Sequence, residues 1–177
     1  MKNRSLEKLV LSGVLLALGM VLPLLTSQIK EIGDTLLPMH LPVLLCGLVC
    51  GWRHGVTVGM LLPFLRSVIF GMPPIYPNAV WMAAELAAYG LVIGLVYAHI
   101  RVRGRVYIAL ISAQIAGRIV WGLVKALLLG VAGTPFPISA FFIGGFADAL
   151  PGIALQILLI PPLLLFVERT VKFGKTA

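Results

Sequence analysis

Val106-Tyr-Ile-Ala-Leu-Ile-Ser-Ala-Gln114-Ile-Ala-Gly-Arg118-Ile-Val-Trp121-Gly-Leu-Val-Lys125-Ala-Leu-Leu-Leu-Gly130 is an apolar run of 25 residues interrupted by two cations. As a helix rising about 1.5 Å per residue it exceeds the roughly 30 Å of hydrocarbon in a bilayer. It therefore reads as a membrane span that keeps Arg118 and Lys125 inside. A charge held in hydrocarbon costs several kcal/mol, so such residues face protein or a cavity and mark a function.

Working outward, five more apolar segments fill most of the chain, giving spans near Leu6–Leu25, Leu36–Trp52, Gly55–Phe70, Ala79–His99, Val106–Gly130 and Phe141–Val167. The second and third are short and also fit a hairpin that enters the membrane only partly. At 60% hydrophobic and 11% charged residues, with a mean hydropathy of +1.05, a water-soluble domain is excluded. The expected fold is an all-α membrane protein, a six-transmembrane-helix bundle forming one integral-membrane substrate-binding domain over residues 1–177.

Lys2, Arg4, Lys8, Arg53, Arg101, Arg103, Arg105, Arg169, Lys172 and Lys175 gather on one side of this topology, against Lys30 on the other. The positive-inside rule then puts both termini in the cytoplasm and three loops outside, near Thr26–Thr35, Gly71–Asn78 and Val131–Ala140. The net charge of +8 is explained by this pattern and by anionic headgroups, and calls for no nucleic acid. The first segment is long for a signal-peptide core and lacks a small-x-small cleavage site, so it reads as a mature helix. Cys46 and Cys50, one turn apart, suit neither a disulfide nor a complete metal site. They read as small buried residues at a helix contact.

Helical depth places Arg66, Glu85, Lys125 and Asp148 near one level in the outer half of the membrane, with Arg118 nearer the middle. Periodicity adds faces. Gln114, Arg118 and Lys125 form one stripe, with Trp121 close by; Asn78, Trp81, Glu85 and Tyr89 form another. Charges interleaved with aromatic rings suit a pocket for a small polar molecule. The alternative is structural ion pairing, Arg66 with Asp148 and Lys125 with Glu85, or the reverse. Three proline-stiffened or polar outer loops read as lids, carrying Gln28, Asp34, His40, Tyr76 and Phe136. An interfacial aromatic belt explains Tyr76 or Phe136 equally well, and a helix cap explains His40. On the first span, Gly13 and Ala17, with Ser12 and Gly19 nearby, form a small-xxx-small face that admits another helix.

The chain has no phosphate-binding loop: Gly174-Lys175-Thr176 lacks the first glycine, where Arg169 stands. No zinc-protease or serine-hydrolase motif occurs, so the chain is expected not to be an enzyme. Against this background, Pro38-Met39-His40-Leu41-Pro42-Val43-Leu44-Leu45-Cys46-Gly47, then Gly51-Trp52-Arg53, Gly71-Met72-Pro73-Pro74 and the Glu85 helix, resemble the substrate-specific S components of energy-coupling factor (ECF) transporters. The resemblance covers nearly the whole chain and implies a vitamin-binding subunit of the cell membrane. It implies docking through the first helix onto a scaffold membrane subunit that carries two ATPases. It also implies no cofactor of its own, ATP being used by the partners, and delivery by toppling of the whole subunit. Gly13 and Ala17 stand where the family has Ala-x-x-x-Ala, one small residue replacing another. Three buried bases against two acids fit an anion or zwitterion, with a carboxylate such as pantothenate the best expectation for Arg118 and Lys125. A pyridoxine-like, thiamin-precursor or corrinoid ligand also fits. A stand-alone facilitator or channel, dimeric or not, is the alternative; a membrane enzyme using Glu85 or Asp148 as base is a more remote one.

Overall fold

A computed structural model describes residues 4–26, 38–134 and 136–170. The expected lid residues Gln28 and Asp34 lie outside the described residues, as do Lys30 and Glu31. The described chain is helical, in the order α1 (Arg4–Thr26), α2 (His40–Val49), α3 (Trp52–Phe70), α4 (Val80–His99), α5 (Arg105–Val131), α6 (Ile138–Phe142) and α7 (Leu150–Thr170). A kinked segment, Ile75–Ala79, with Tyr76 in an extended conformation (φ −121°, ψ 135°), leads into α4, and a π-helical turn, Ile143–Ala147, joins α6 to α7. Among the described residues there is no strand.

Four helical stretches are long and apolar enough to cross a membrane: Arg4–Leu24, Ile75–His99, Arg105–Val131 and Ile138–Thr170. The α2 helix is apolar but has only 10 residues, about half a bilayer at 1.5 Å per residue. The α3 helix has the length, with 19 residues, but carries Arg53, His54 and Arg66. So four of the six expected spans qualify by length and composition; of the two that do not, α2 falls short in length and α3 in composition. The expected sixth span is broken rather than continuous, because the π turn interrupts it.

Turns between helices fall where glycine permits them. Gly51 (φ 96°) separates α2 from α3, and Gly71 (φ 72°) ends α3 in the left-handed conformation, its N–H bonding the Ser67 carbonyl at 3.0 Å. The bundle centres on α4, which packs against α2, α3 and α5. Leu44, Leu62, Leu86, Tyr89, Ile93 and Leu110 are fully buried there. Outward, Val14, Leu127, Val131, Leu158 and Phe166 are exposed, as on helices that meet lipid. Cys46 is buried at the α1–α2 contact with its thiol 3.6 Å from Ser12 Oγ, and Cys50 is buried as well, matching the packing role expected for both.

Among the described glycines, the tightest contacts with another helix's backbone join α3 to α4. A Cβ built on Gly90 would lie 2.3 Å from the Gly55 carbonyl carbon, and one on Gly59 would lie 2.5 Å from the Leu86 carbonyl oxygen. Gly94 is equally tight against the Trp52 backbone, 2.5 Å away. With lipid outside instead of water, helices associate through such close van der Waals contact rather than hydrophobic collapse.

Candidate functional site

Near the middle of this bundle lies a polar chain that crosses four helices. His40 opens α2, Glu85 and Tyr89 come from α4, Gln114 and Arg118 from α5, and Gln156 from α7. All six are at most 5% exposed. Tyr89 Oη donates to Gln114 Oε1 at 3.0 Å, and Gln114 Nε2 donates to Gln156 Oε1. Tyr89 also meets the edge of the His40 ring, with centroids 5.0 Å apart. Gly117 makes room for this tyrosine, since a Cβ there would strike the ring at 2.7 Å.

Glu85 is the electrostatic centre. Its Oε1 lies 3.1 Å from Arg118 Nη1 and 3.4 Å from His40 Nε2. Both contacts are close in distance but neither meets hydrogen-bond geometry, so Glu85 Oε1 keeps unused accepting capacity. Arg118 Nε and Nη2, both His40 ring nitrogens and Gln156 Nε2 also lack a hydrogen-bond partner among the described residues. Leaving a buried polar atom unsatisfied costs about 1–3 kcal/mol, and native proteins contain few such atoms. Here they cluster on four side chains of one site. The Nε and Nη2 hydrogens of Arg118 point along one edge of the guanidinium, the pair that a planar oxyanion accepts in bidentate fashion.

About two turns along α5 from Arg118, and one turn along α4 from Glu85, toward the proline-bearing loops, Lys125 is ringed by aromatics. Its Nζ lies 4.7 Å from the Trp121 ring centroid, 5.1 Å from Trp81 and 5.3 Å from Phe136. Each contact places the ammonium near a negative π face. Phe136 also meets Trp121 edge-on at 5.9 Å, and Phe141 stacks on Trp121 at 6.3 Å. Phe136 therefore does cover a group of the expected constellation. Tyr76 does not: it is 59% exposed. Its loop is tethered through the Ser67 hydroxyl, which lies within hydrogen-bonding reach of the Pro63 and Pro73 carbonyls. Asn78 is half-buried in the kinked segment that leads into α4.

Several expectations change. Neither alternative pairing forms, because Glu85 takes Arg118 as its partner. Periodicity had given the facing sides of α4 and α5 but not the neighbour across them. Arg66 is buried as expected, yet it turns away from the centre: Nη1 donates to the Met20 carbonyl of α1 at 2.8 Å, and the guanidinium lies 5.6 Å from the Phe70 ring. That carbonyl belongs to the turn disturbed by Pro23. Asp148, expected inside, is exposed. The π turn adds a residue before it, closed by Asp148 N–H to the Ile143 carbonyl at 2.9 Å. One extra residue rotates the rest of the helix by about 100° at 3.6 residues per turn. A single chamber shared by Arg66, Glu85, Lys125 and Asp148 is therefore not what the chain builds.

His40 is not a loop or capping residue. Met39 occupies the N-cap, and His40 is 2% exposed against Glu85. Gln156 was missed, although a lone amide in an apolar membrane helix is costly enough to have marked it. On α1, Ser12 and Gly19 turn inward, whereas Gly13 and Ala17 are exposed, and a Cβ on Gly13 would meet nothing within 4 Å.

Compared with protein families, residues 7–164 match the model for the ECF transporter, substrate-specific component. The chain belongs to that family. As an S component it is an integral membrane protein and a component of membrane micronutrient transport. No match was found among curated proteins or among solved structures.

Proposed function

We propose that this S component captures a small water-soluble micronutrient carrying a carboxylate, pantothenate being the best fit, and delivers it across the cell membrane. The free Nε–Nη2 edge of Arg118, 3% exposed among other unsatisfied polar atoms, carries this reading. Arg118 and Lys125 against Glu85 leave one positive charge, which a monoanion neutralises. In this reading the carboxylate sits on Arg118, with His40 and the Gln114–Gln156 pair serving other polar groups of the ligand. Trp81, Trp121 and Phe136 flank its apolar part, and Lys125 compensates charge nearer the entrance.

The reading includes six spans in a multi-pass protein, α2 and α3 being two of them, with the arginine-rich end in the cytoplasm. A scaffold subunit with two ATPases supplies the energy, and the chain itself catalyses no reaction and holds no cofactor. The exposed Gly13 and Ala17 are the docking face. Gly13→Leu with Ala17→Leu should abolish scaffold-dependent uptake, measured with labelled ligand in vesicles, while ligand affinity of the isolated subunit stays within about twofold. Loss of affinity in parallel with uptake would remove the docking role.

Mass spectrometry of small molecules released from the detergent-purified chain tests the ligand assignment directly. A stoichiometric carboxylate-bearing compound, reduced in Arg118 variants, is the expected result. Recovery of a compound without an acidic group would overturn the carboxylate assignment. Uptake by vesicles containing this chain alone would overturn the dependence on a scaffold.

A further inference from the structure

At the opposite end of the bundle lies a cavity of about 720 Å³, within the roughly 300–1,000 Å³ common for ligand sites. Five helices close around it: α1 supplies Arg4 and Lys8, α2 supplies Leu48, α3 supplies His54, α5 supplies Arg105 and α7 supplies Glu168. Three permanent cations thus face one carboxylate. That carboxylate is already engaged, since Glu168 accepts from Tyr97 Oη at 3.3 Å. Arg105 is held in place as well: its Nη2 donates to Tyr97 Oη at 3.0 Å and its guanidinium lies 4.1 Å over the same ring. None of these groups takes part in the Glu85–Arg118 cluster.

We infer that this cavity holds the phosphate of an anionic phospholipid headgroup. The charge selects a phosphate oxyanion, and the flanks select its lipid source. Beside the cations, α1 exposes Leu6, Leu9 and Val10 at 57–63%, and beside Glu168, α7 exposes Leu165 and Phe166 at 56–67%. A soluble phosphate has no use for these exposed apolar faces, which flank the cavity along the chain without lining it. A phospholipid places its headgroup among Lys8, Arg4 and Arg105 and lays its acyl chains along the two helices. The basic residues lie on the side that the positive-inside pattern assigns to the cytoplasm, the side on which anionic lipids concentrate.

Native mass spectrometry of the purified full chain, supplied with phosphatidylglycerol or phosphatidylcholine, tests the site. Phosphatidylglycerol should remain bound where phosphatidylcholine does not. Near an anionic surface each basic residue is worth about 1 kcal/mol, about fivefold. Lys8→Ala should therefore weaken phosphatidylglycerol retention about fivefold and Lys8→Glu about thirtyfold, whereas Lys8→Arg retains it. Micronutrient affinity, measured on the same samples, should not change, which separates this site from the proposed ligand pocket. Equal retention of the two lipids, or Lys8→Glu that binds phosphatidylglycerol like the parent chain, would overturn the assignment. So would displacement of the lipid by millimolar inorganic phosphate, which would make a soluble phosphate the ligand.

Discussion

Replacing Arg118 by lysine is expected to leave a folded protein whose micronutrient affinity falls about ten- to a hundredfold. Lysine preserves the positive charge beside Glu85, so the buried carboxylate is not left alone. It cannot present two parallel N–H groups along one edge, so a carboxylate held in bidentate fashion loses one charge-assisted hydrogen bond. Such a bond is worth about 1.5–3 kcal/mol, and 1.4 kcal/mol is tenfold. Arg118→Ala goes further, because removing one partner of a buried pair costs about 3–5 kcal/mol in stability. Its tenfold or greater loss of binding is therefore interpretable only beside a folding control, such as elution position in detergent. Glu85→Gln completes the set: it keeps the shape, removes the countercharge and should also weaken binding. Titration of purified Arg118→Lys with the ligand at unchanged affinity would detach this arginine from ligand capture.

Gly90→Val is expected to prevent accumulation of folded protein. The obstruction is backbone against backbone, with the new Cβ 2.3 Å from the Gly55 carbonyl carbon, so no side chain can swing aside. Separating the two helices enough to admit a β-branched residue would break the contacts along Gly55, Gly59 and Gly94 as well. Overpacking usually costs about 1–3 kcal/mol. Here the cost should exceed about 4 kcal/mol, the exceptional end of single substitutions. Gly13→Ala is the matched comparison, since a Cβ there meets nothing within 4 Å. It should express and elute like the parent chain. A Gly90→Val protein that elutes as a single sharp peak with parental thermal stability would show that the seam yields more than its geometry allows.

Much of this architecture was legible because the membrane makes length and hydropathy decisive. Observed boundaries such as Arg4–Thr26, Val80–His99 and Arg105–Val131 lie within a few residues of the expected spans. The facing stripes on α4 and α5 were legible too, since a charge in an apolar helix has to face protein. Trp81, Glu85, Tyr89, Gln114, Arg118 and Lys125 do meet there. Contacts between distant segments were not legible. His40 looked peripheral because it stands at a segment boundary, yet α2 begins inside the bundle and presses it on Glu85. Gln156 had no charged neighbour in sequence to draw notice. Asp148 is not legible from depth along a regular helix, because depth says nothing of its face and the π turn at Ile143–Ala147 shifts that face. Arg66 could be assigned a depth, but nothing local signalled an interaction with a carbonyl of α1.

The glycine seam also decides where this molecule can bend. With their main chains in direct contact, α3 and α4 form one stiff plate that carries Glu85 and Tyr89 as fixed furniture. The first helix and the last stretch bury far less of themselves in the bundle, with only 17% and 22% of their most apolar windows buried. Movement among these helices is therefore expected at the periphery, between the plate and α1 or the α6–α7 arm, and not across the seam.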